Sequence, residues 1–419
     1  MRGPLRTILF VDDSPAASYG GSKRVLVDIV TRLDRSVWSP HAAFRKDGPY
    51  RADLEAAGVP TLVYGALAPR SVARPRSTAL HRLVLGTVSE GRVRRSPLRR
   101  LLWNGRAAFR CAWRDRLAAR RLCAVLPRDV SLVHYNSRMA DGCEWAHVAR
   151  RLGAALVIHD HEVWRVPAGA YRSAARQAAC VVCLTGERAA LMREFGGDSV
   201  RTEVVPNGID LEALAARRQP ERAAALRAES RGRPLLVTAA HYQPWKGQLP
   251  ALDAAARLAA GGHAFLWRFC GHPTDPAYFE AVRARVVALG LQDQVVVDPQ
   301  RDDVPALLEA ADVAVHTAIE TEPFSLFVLE ALACGVPIVA ARAGGHTEVV
   351  RHGVEGLLYT PRDSAELAGA LAALLADPAL RRRLGAAGLE RVRSGYTIAT
   401  QVERLEAIYR EAVSAPGAR

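Results

Sequence analysis

Two acids, Glu322 and Glu330, stand eight residues apart in the run TEPFSLFVLEALACGVP at residues 321–337. Carboxylates of this kind accept hydrogen bonds from hydroxyl groups, and the residues between them suit a helix. Pro323 is preorganised for a first helical turn, Gly335 can end the helix in a left-handed residue, and Pro337 prevents its continuation. The backbone N–H groups of Phe324, Ser325 and Leu326 would then lack intrahelical partners and face an anion. On one helix the two acids would lie about 80° apart around the axis and roughly 12 Å along it. That span approaches the distance from hexose to ribose in a nucleoside diphosphate sugar. One acid would accept from sugar hydroxyls, the other from the ribose diol, with the diphosphate between them.

Other residues carry chemistry of their own. Only three of the 57 basic residues are lysines, and one, Lys246, sits in PWKGQ at 244–248. A compact ammonium can follow a phosphate from ground state to leaving group. His159-Asp160-His161 closes the apolar run ALVI, and one of the two histidines is expected to hydrogen-bond near a reaction centre. Neighbouring side chains on a strand diverge and no further ligand is evident, so a metal is not expected there. The chain contains no D-x-D either. Gly20-Gly21 lies between a first strand and a first helix, where glycine permits close approach of a phosphate or sugar. Cys180-x-x-Cys183 has the spacing of a redox or zinc pair, yet lies in an apolar run with no second pair, and reads as core.

The elements that must position these residues alternate along the chain. Strand-like runs occur at 8–12, 131–135, 155–160, 180–185, 234–239, 265–270, 295–298, 313–317 and 337–341, most followed by helix-like stretches. This pattern implies α/β architecture with parallel sheets covered on both faces and ligands at the carboxyl ends of strands. With 419 residues, 49% hydrophobic, one core is too few. Two doubly wound, Rossmann-like domains are expected at 1–208 and 209–396. Residues 397–419 would form a final amphipathic helix with Val402, Leu405, Ile408, Tyr409 and Val413 on its buried stripe. The N-terminus reads as a strand rather than a signal peptide, and no stretch reads as a membrane span, so a cytoplasmic setting with reduced cysteines is expected.

Charge is unevenly placed. Residues 1–208 carry 34 Lys and Arg against 18 Asp and Glu, whereas the remainder carries 23 against 25. The first half therefore calls for an anionic partner. Residues 92–121 hold eleven arginines and one aspartate. Drawn as a helix from about residue 101, they place Ala107, Ala108, Cys111, Ala118 and Leu122 inward. Phe109, Trp113, Arg106, Arg110 and Arg114 then lie outward, a surface suited to anionic lipid headgroups or to solvent. No nucleic-acid fold motif accompanies it, so nucleic acid is not an expected partner.

Glu322 and Glu330, followed by ACGVPIVAARAGGHTEVVRHGVEGLLY, resemble the retaining nucleotide-sugar glycosyltransferases of family 4, which have the GT-B fold. The resemblance extends to PWKGQ, VVPNGID at 204–210, the Gly20-Gly21 loop and the final helix. It implies two domains facing across a cleft, donor in the second and acceptor in the first, with the last helix crossing back. It implies Glu330 on the ribose, Glu322 and the amides of 324–326 on the sugar and phosphates, and Lys246 on the diphosphate. Gly20-Gly21 would face the donor phosphates and the acceptor, and His159 or His161 would lie near the reacting sugar.

The sequence departs from the family in two places: His241 stands where an Arg usually partners that Lys, and Ser325 where Gly is more common. The activity implied is hexosyl transfer from a nucleoside diphosphate sugar to a hydroxyl acceptor, with retention, no cofactor and no obligatory metal. The basic first half points to a lipid-linked or envelope polysaccharide or glycolipid acceptor at the inner face of a membrane. A GT-B nucleotide-sugar epimerase and a non-catalytic sugar-nucleotide-binding homologue share the architecture. A response-regulator receiver, suggested by ILFVDDS, lacks its phosphoacceptor Asp and late Lys.

Overall fold

The computed structural model describes residues 5–13, 21–68, 114–136, 143–161, 169–197 and 199–414. Gly20 and residues 92–113 of the basic segment lie outside these described residues. Two compact units are present: residues 1–182, 189–203 and 407–419 form one, and residues 183–188 and 204–406 the other.

The first unit is built on strands β1 (Arg6–Asp12), β2 (Trp38–Phe44), β3 (Thr61–Val63), β4 (Val130–Asn136), β5 (Ala155–Asp160), β6 (Cys180–Cys183) and β7 (Thr202–Val204), in the order β3-β2-β1-β4-β5-β6-β7. The pairs β1–β2, β1–β4, β2–β3 and β4–β5 are parallel. β1 is an interior strand, and Ile8, Leu9, Phe10 and Val11 are all buried, as a strand covered on both faces requires. Helix α1 (Gly21–Thr31) follows β1, and α2 (Asp115–Cys123) precedes β4. In α2, Ala119 and Leu122 are buried while Arg116, Arg120 and Arg121 are exposed. Cys180 and Cys183 are both buried in β6, and burial raises the Cys180 thiol to about 12, as a core position demands.

The second unit repeats the plan with β8 (Leu235–Ala239), β9 (Leu266–Cys270), β10 (Val295–Asp298), β11 (Val313–His316), β12 (Ile338–Ala341) and β13 (Gly356–Tyr359), ordered β10-β9-β8-β11-β12-β13. All its pairs are parallel. Alternate residues along these strands feed two cores. Leu235, Val237, Ala314, Ile338 and Ala340 pack toward one, and Leu236, Trp267, Phe269, Val315 and Val339 toward the other. Each sheet therefore buries both faces, which explains near-continuous apolar strands in place of alternating ones.

Helices on the second sheet include α3 (Gln248–Ala260) after β8 and α4 (Leu326–Ala333) after β11. The last helix, α5 (Ile398–Ser414), begins in the second unit and ends in the first. Val402, Leu405, Ile408 and Tyr409 are buried on it as expected, joined by Ala412, with Val413 half-buried. The Tyr409 hydroxyl lies 2.7 Å from Nδ1 of the buried His134, and its ring meets Phe10 and Trp38 edge-on. Among the described residues, no helix is long and apolar enough to cross a membrane.

Candidate active site

Three neighbouring strands of the second sheet, β8, β11 and β12, end beside one another, and their carboxyl-end loops build the site. After β8, residues Pro244–Lys246 make one 3-10 turn closed by Gly247 at φ 72°. A β-carbon at Gly247 would run into the Thr317 carbonyl oxygen, so glycine is needed for conformation and for space alike. The Thr317 hydroxyl donates to the Lys246 carbonyl at 2.7 Å, and the Ile319 N–H to the Trp245 carbonyl at 2.9 Å. These bonds tie the β8 loop to the β11 loop and aim Lys246.

Lys246 Nζ lies 2.6 Å from Glu322 Oε1 and 4.1 Å from the centroid of the Trp245 ring. The other carboxylate oxygen, Oε2, sits 2.7 Å from His316 Nε2, at the end of β11. The Lys246 and Glu322 side chains are only 10% and 14% exposed. Burial alone would raise the Glu322 carboxyl, but the Lys246 charge and the His316 contact hold it well below the usual carboxylate range.

The β12 loop supports Glu322 from below. Residues 322 and 344 form an isolated parallel bridge, and the Gly345 N–H donates to the Glu322 carbonyl at 3.0 Å. Gly344 has φ 104°, and a β-carbon there would collide with the Glu322 backbone. Behind the loop, the His346 ring stands 4.3 Å from that of His316, its Nε2 2.7 Å from the Ala341 carbonyl. Burial, reinforced by His316, lowers His346 to about 3, so it is neutral at physiological pH.

The two acids do not share a helix. α4 starts at Leu326 with Ser325 as an extended N-cap, so Pro323 and Phe324 precede it and the 80° spacing between Glu322 and Glu330 does not apply. The first intrahelical bond is from the Leu329 N–H to the Ser325 carbonyl. The amides without intrahelical acceptors are therefore those of Ser325, Leu326, Phe327 and Val328, which keeps 325 and 326 of the expected set and extends it two residues further. Ser325 and Phe324 are themselves buried. Glu330 lies half-buried on the second turn of α4, near enough to Cys334 to add to the burial that raises that thiol to about 11.

His241, in the position expected to help clamp phosphate, lies half-buried after β8 with Nδ1 3.2 Å from the Thr274 hydroxyl. Burial, then Lys246 and His272, lower its pKa and disfavour its charged form.

In the first unit, His159 is fully buried inside β5 and His161 follows the strand half-buried. Their rings lie 4.2 Å apart, and His134 adds a third ring 5.4 Å from His159. His161 Nε2 is 2.9 Å from Asn136 Oδ1, and the Asn136 amide donates to the Ser22 carbonyl at 3.2 Å beside Gly21, the first residue of α1. Burial lowers His161 to about 4 and, with the neighbouring His161 and His134, holds His159 well below the usual imidazole range. Of the two, only His161 presents surface to a ligand. Among the described residues, no group of three or more His, Cys, Asp or Glu is placed to hold a metal ion.

His316, Thr317, Gly344 and His346 carry no signal in isolation. Their role depends on sheet order, which sets β11 between β8 and β12 and cannot be read along the chain.

Two parallel sheets, each wound outward from its first strand in both directions and carrying this loop constellation on the second, define a protein of the GT-B fold. Anabaena HepE, solved in complex with UDP-glucose, shares the fold with a TM-score of 0.72 and 23% identity, covering 96% of this chain and 98% of that one. Sucrose-phosphate synthase from Thermosynechococcus elongatus shares it with a TM-score of 0.68 and 20% identity over 98% and 100% of the two chains. Residues 19–213 match the family model Glycosyltransferase Family 4, and residues 222–391 match Glycosyl transferases group 1. The chain belongs to this glycosyltransferase family. A D-inositol 3-phosphate glycosyltransferase from Geodermatophilus obscurus is 33% identical over 276 residues, covering 62% of this chain and 59% of the relative. The chain thus spans less than two thirds of the length of the curated relatives it matches.

Proposed function

We propose that the protein transfers a hexosyl unit from a nucleoside diphosphate sugar to a hydroxyl acceptor with retention of configuration, the second unit binding the donor and the first the acceptor. The observation that carries this reading is the pairing of Lys246 with Glu322 beside a helix whose first-turn amides lack intrahelical acceptors. A diphosphate would take the Lys246 ammonium and the amides of Leu326, Phe327 and Val328. Glu322 would accept from sugar hydroxyls and Glu330 from the ribose diol. The acceptor oxygen forms its bond to the anomeric carbon as the bond to phosphate breaks, and the departing phosphate oxygen takes the acceptor proton. No side-chain nucleophile is then required, and His161 would serve as a hydrogen-bonding group toward the sugar.

The UDP-glucose in HepE and the name of the inositol phosphate relative support a nucleotide-sugar donor and an anionic acceptor. The excess of arginine in residues 1–208 favours that acceptor class too. We place the acceptor on a lipid carrier or glycolipid at the inner face of a membrane, with the basic 92–121 segment on anionic headgroups. Vesicle co-sedimentation that weakens with salt supports this; indifference to lipid charge removes it.

Incubation with UDP- and GDP-sugars tests the activity. Release of nucleoside diphosphate on adding acceptor supports transfer, interconversion of the sugars marks an epimerase, and binding without turnover marks a sensor. Glu330→Ala should weaken donor binding about tenfold or more, because it strands the ribose hydroxyls; an unchanged dissociation constant removes Glu330 from the site.

A further inference from the structure

Glu322 has two donors, Lys246 and His316, and they differ in kind. Lys246 sits on a loop and carries the charge that a diphosphate would compete for. His316 is fixed at the end of β11, with its side chain 5% exposed and parallel partners on both sides of its strand. Its Nδ1 is buried with no hydrogen-bond partner among the described residues. Only Nε2 faces an acceptor, which places the ring proton on Nε2, toward Glu322.

His346 is arranged in the same way. Its Nε2 faces the Ala341 carbonyl, its Nδ1 is buried with no hydrogen-bond partner among the described residues, and its ring lies against that of His316 at a 58° tilt. The two imidazoles form a buried, tilted pair with a single outward donor. Among the described residues, the charged and titratable groups around the pair include Glu322, Lys246, Tyr359, whose hydroxyl reaches the His316 carbonyl, and, beyond Lys246, His241.

We propose that His316 is a positioning residue that holds the Glu322 carboxylate in place when the donor diphosphate draws Lys246 away. The assignment rests on the donor-site reading above. A carboxylate this deep, deprived of its cation, would swing toward solvent or follow the ammonium. The His316 N–H removes that freedom and leaves Oε1 oriented for a sugar hydroxyl just as Lys246 vacates it. Ligand binding then exchanges one partner of Glu322 while the other stays fixed.

The test is calorimetric titration of the full chain with UDP-glucose and GDP-glucose, whose hexose carries the hydroxyls Glu322 would meet, with UDP and GDP alongside to separate the sugar contact from the nucleotide. His316→Gln places an amide nitrogen where Nε2 stands, whereas His316→Asn places one nearer Nδ1. The Gln variant should bind within about threefold of the parent, and the Asn variant about tenfold or more weaker. Both substitutions are polar, and their melting temperatures report folding separately. A double-mutant cycle fixes the route: His316→Asn should cost less than about twofold in a Glu322→Ala background, because the two residues act as one unit.

Equal losses for Gln and Asn, an unchanged Asn variant, or the same loss with and without Glu322 would overturn the assignment. If the unsubstituted protein binds none of these four ligands, the donor-site reading itself falls and the assignment with it, a result distinct from the other three.

Discussion

Replacing Lys246 by Met isolates the charge at the centre of the site. The ion pair is 2.6 Å long, with both side chains about nine-tenths covered. An exposed pair would be worth at most about 1 kcal/mol, whereas removing one partner of a buried pair costs about 3–5 kcal/mol. His316 still satisfies Glu322 Oε2 in the variant, so the loss falls below the buried limit, at about 2–3 kcal/mol near neutral pH. For a unit of this size that is a fall in melting temperature of roughly 4–12 °C.

The pH dependence carries the sharper test. In the parent protein the Glu322 carboxyl is held well below its usual range. It therefore contributes stability above an unfolded pKa of about 4.3, lost only as pH falls through the lower folded value. In Lys246→Met the burial penalty loses its main opponent, the folded carboxyl titrates higher, and protonation relieves the variant as pH falls. Scanning calorimetry at about pH 7.5 and about pH 5 should show the gap between the two proteins shrinking at the lower pH. A gap equal at both values, or absent at the higher, would mean that Lys246 is not what keeps Glu322 ionised.

Gly247→Ala should lower stability by more than about 2 kcal/mol, combining a left-handed backbone cost with a collision at the Thr317 carbonyl, and should weaken UDP binding in the same titration. In the first unit, Arg45 lies between Asp13 and Glu144 in a buried cluster. Burial, then Asp13, raises Glu144 to about 8. The folded chain thus keeps a proton that the unfolded chain releases near pH 4.3, so this group makes stability fall with pH from there to about pH 8. Glu144→Gln should flatten that decline in denaturant midpoints measured across the range, and an undiminished slope would assign it to other groups.

Most of the architecture was legible because a strand covered on both faces must be apolar at nearly every position. The runs at 155–160 and 295–298 match β5 and β10 residue for residue. β2 was not legible: its sequence WSPHAAF interrupts the apolar pattern with Ser39, Pro40 and His41, although Pro40 pairs with Ile8 inside the sheet. β3 and β7, at three residues each, are too short to show any period, and β13 opens with a glycine. Lys246 and Glu322, singled out by residue type, meet in the structure, whereas the helical spacing drawn between Glu322 and Glu330 does not hold. His316 and His346 were not legible, because their role exists only where β11 and β12 lie side by side, and that adjacency comes from sheet order.

The helix start shows why spacing alone misplaces a site. Eight residues separate Glu322 from Glu330 on any reading, and a continuous helix would fix both by one register. Glu322, however, must meet Lys246 from the β8 loop and His316 from β11 while bridging to Gly344 after β12. A helical backbone at 322 would direct its N–H and C=O along the helix axis and could not also bridge to a neighbouring loop. The chain therefore stays extended through Ser325 and turns into the helix one residue later. The first acid is fixed by partners from three strands and the second by register within α4. Breaking the Lys246 bond therefore leaves the register that sets Glu330 untouched, because the two carboxylates are held by separate parts of the fold.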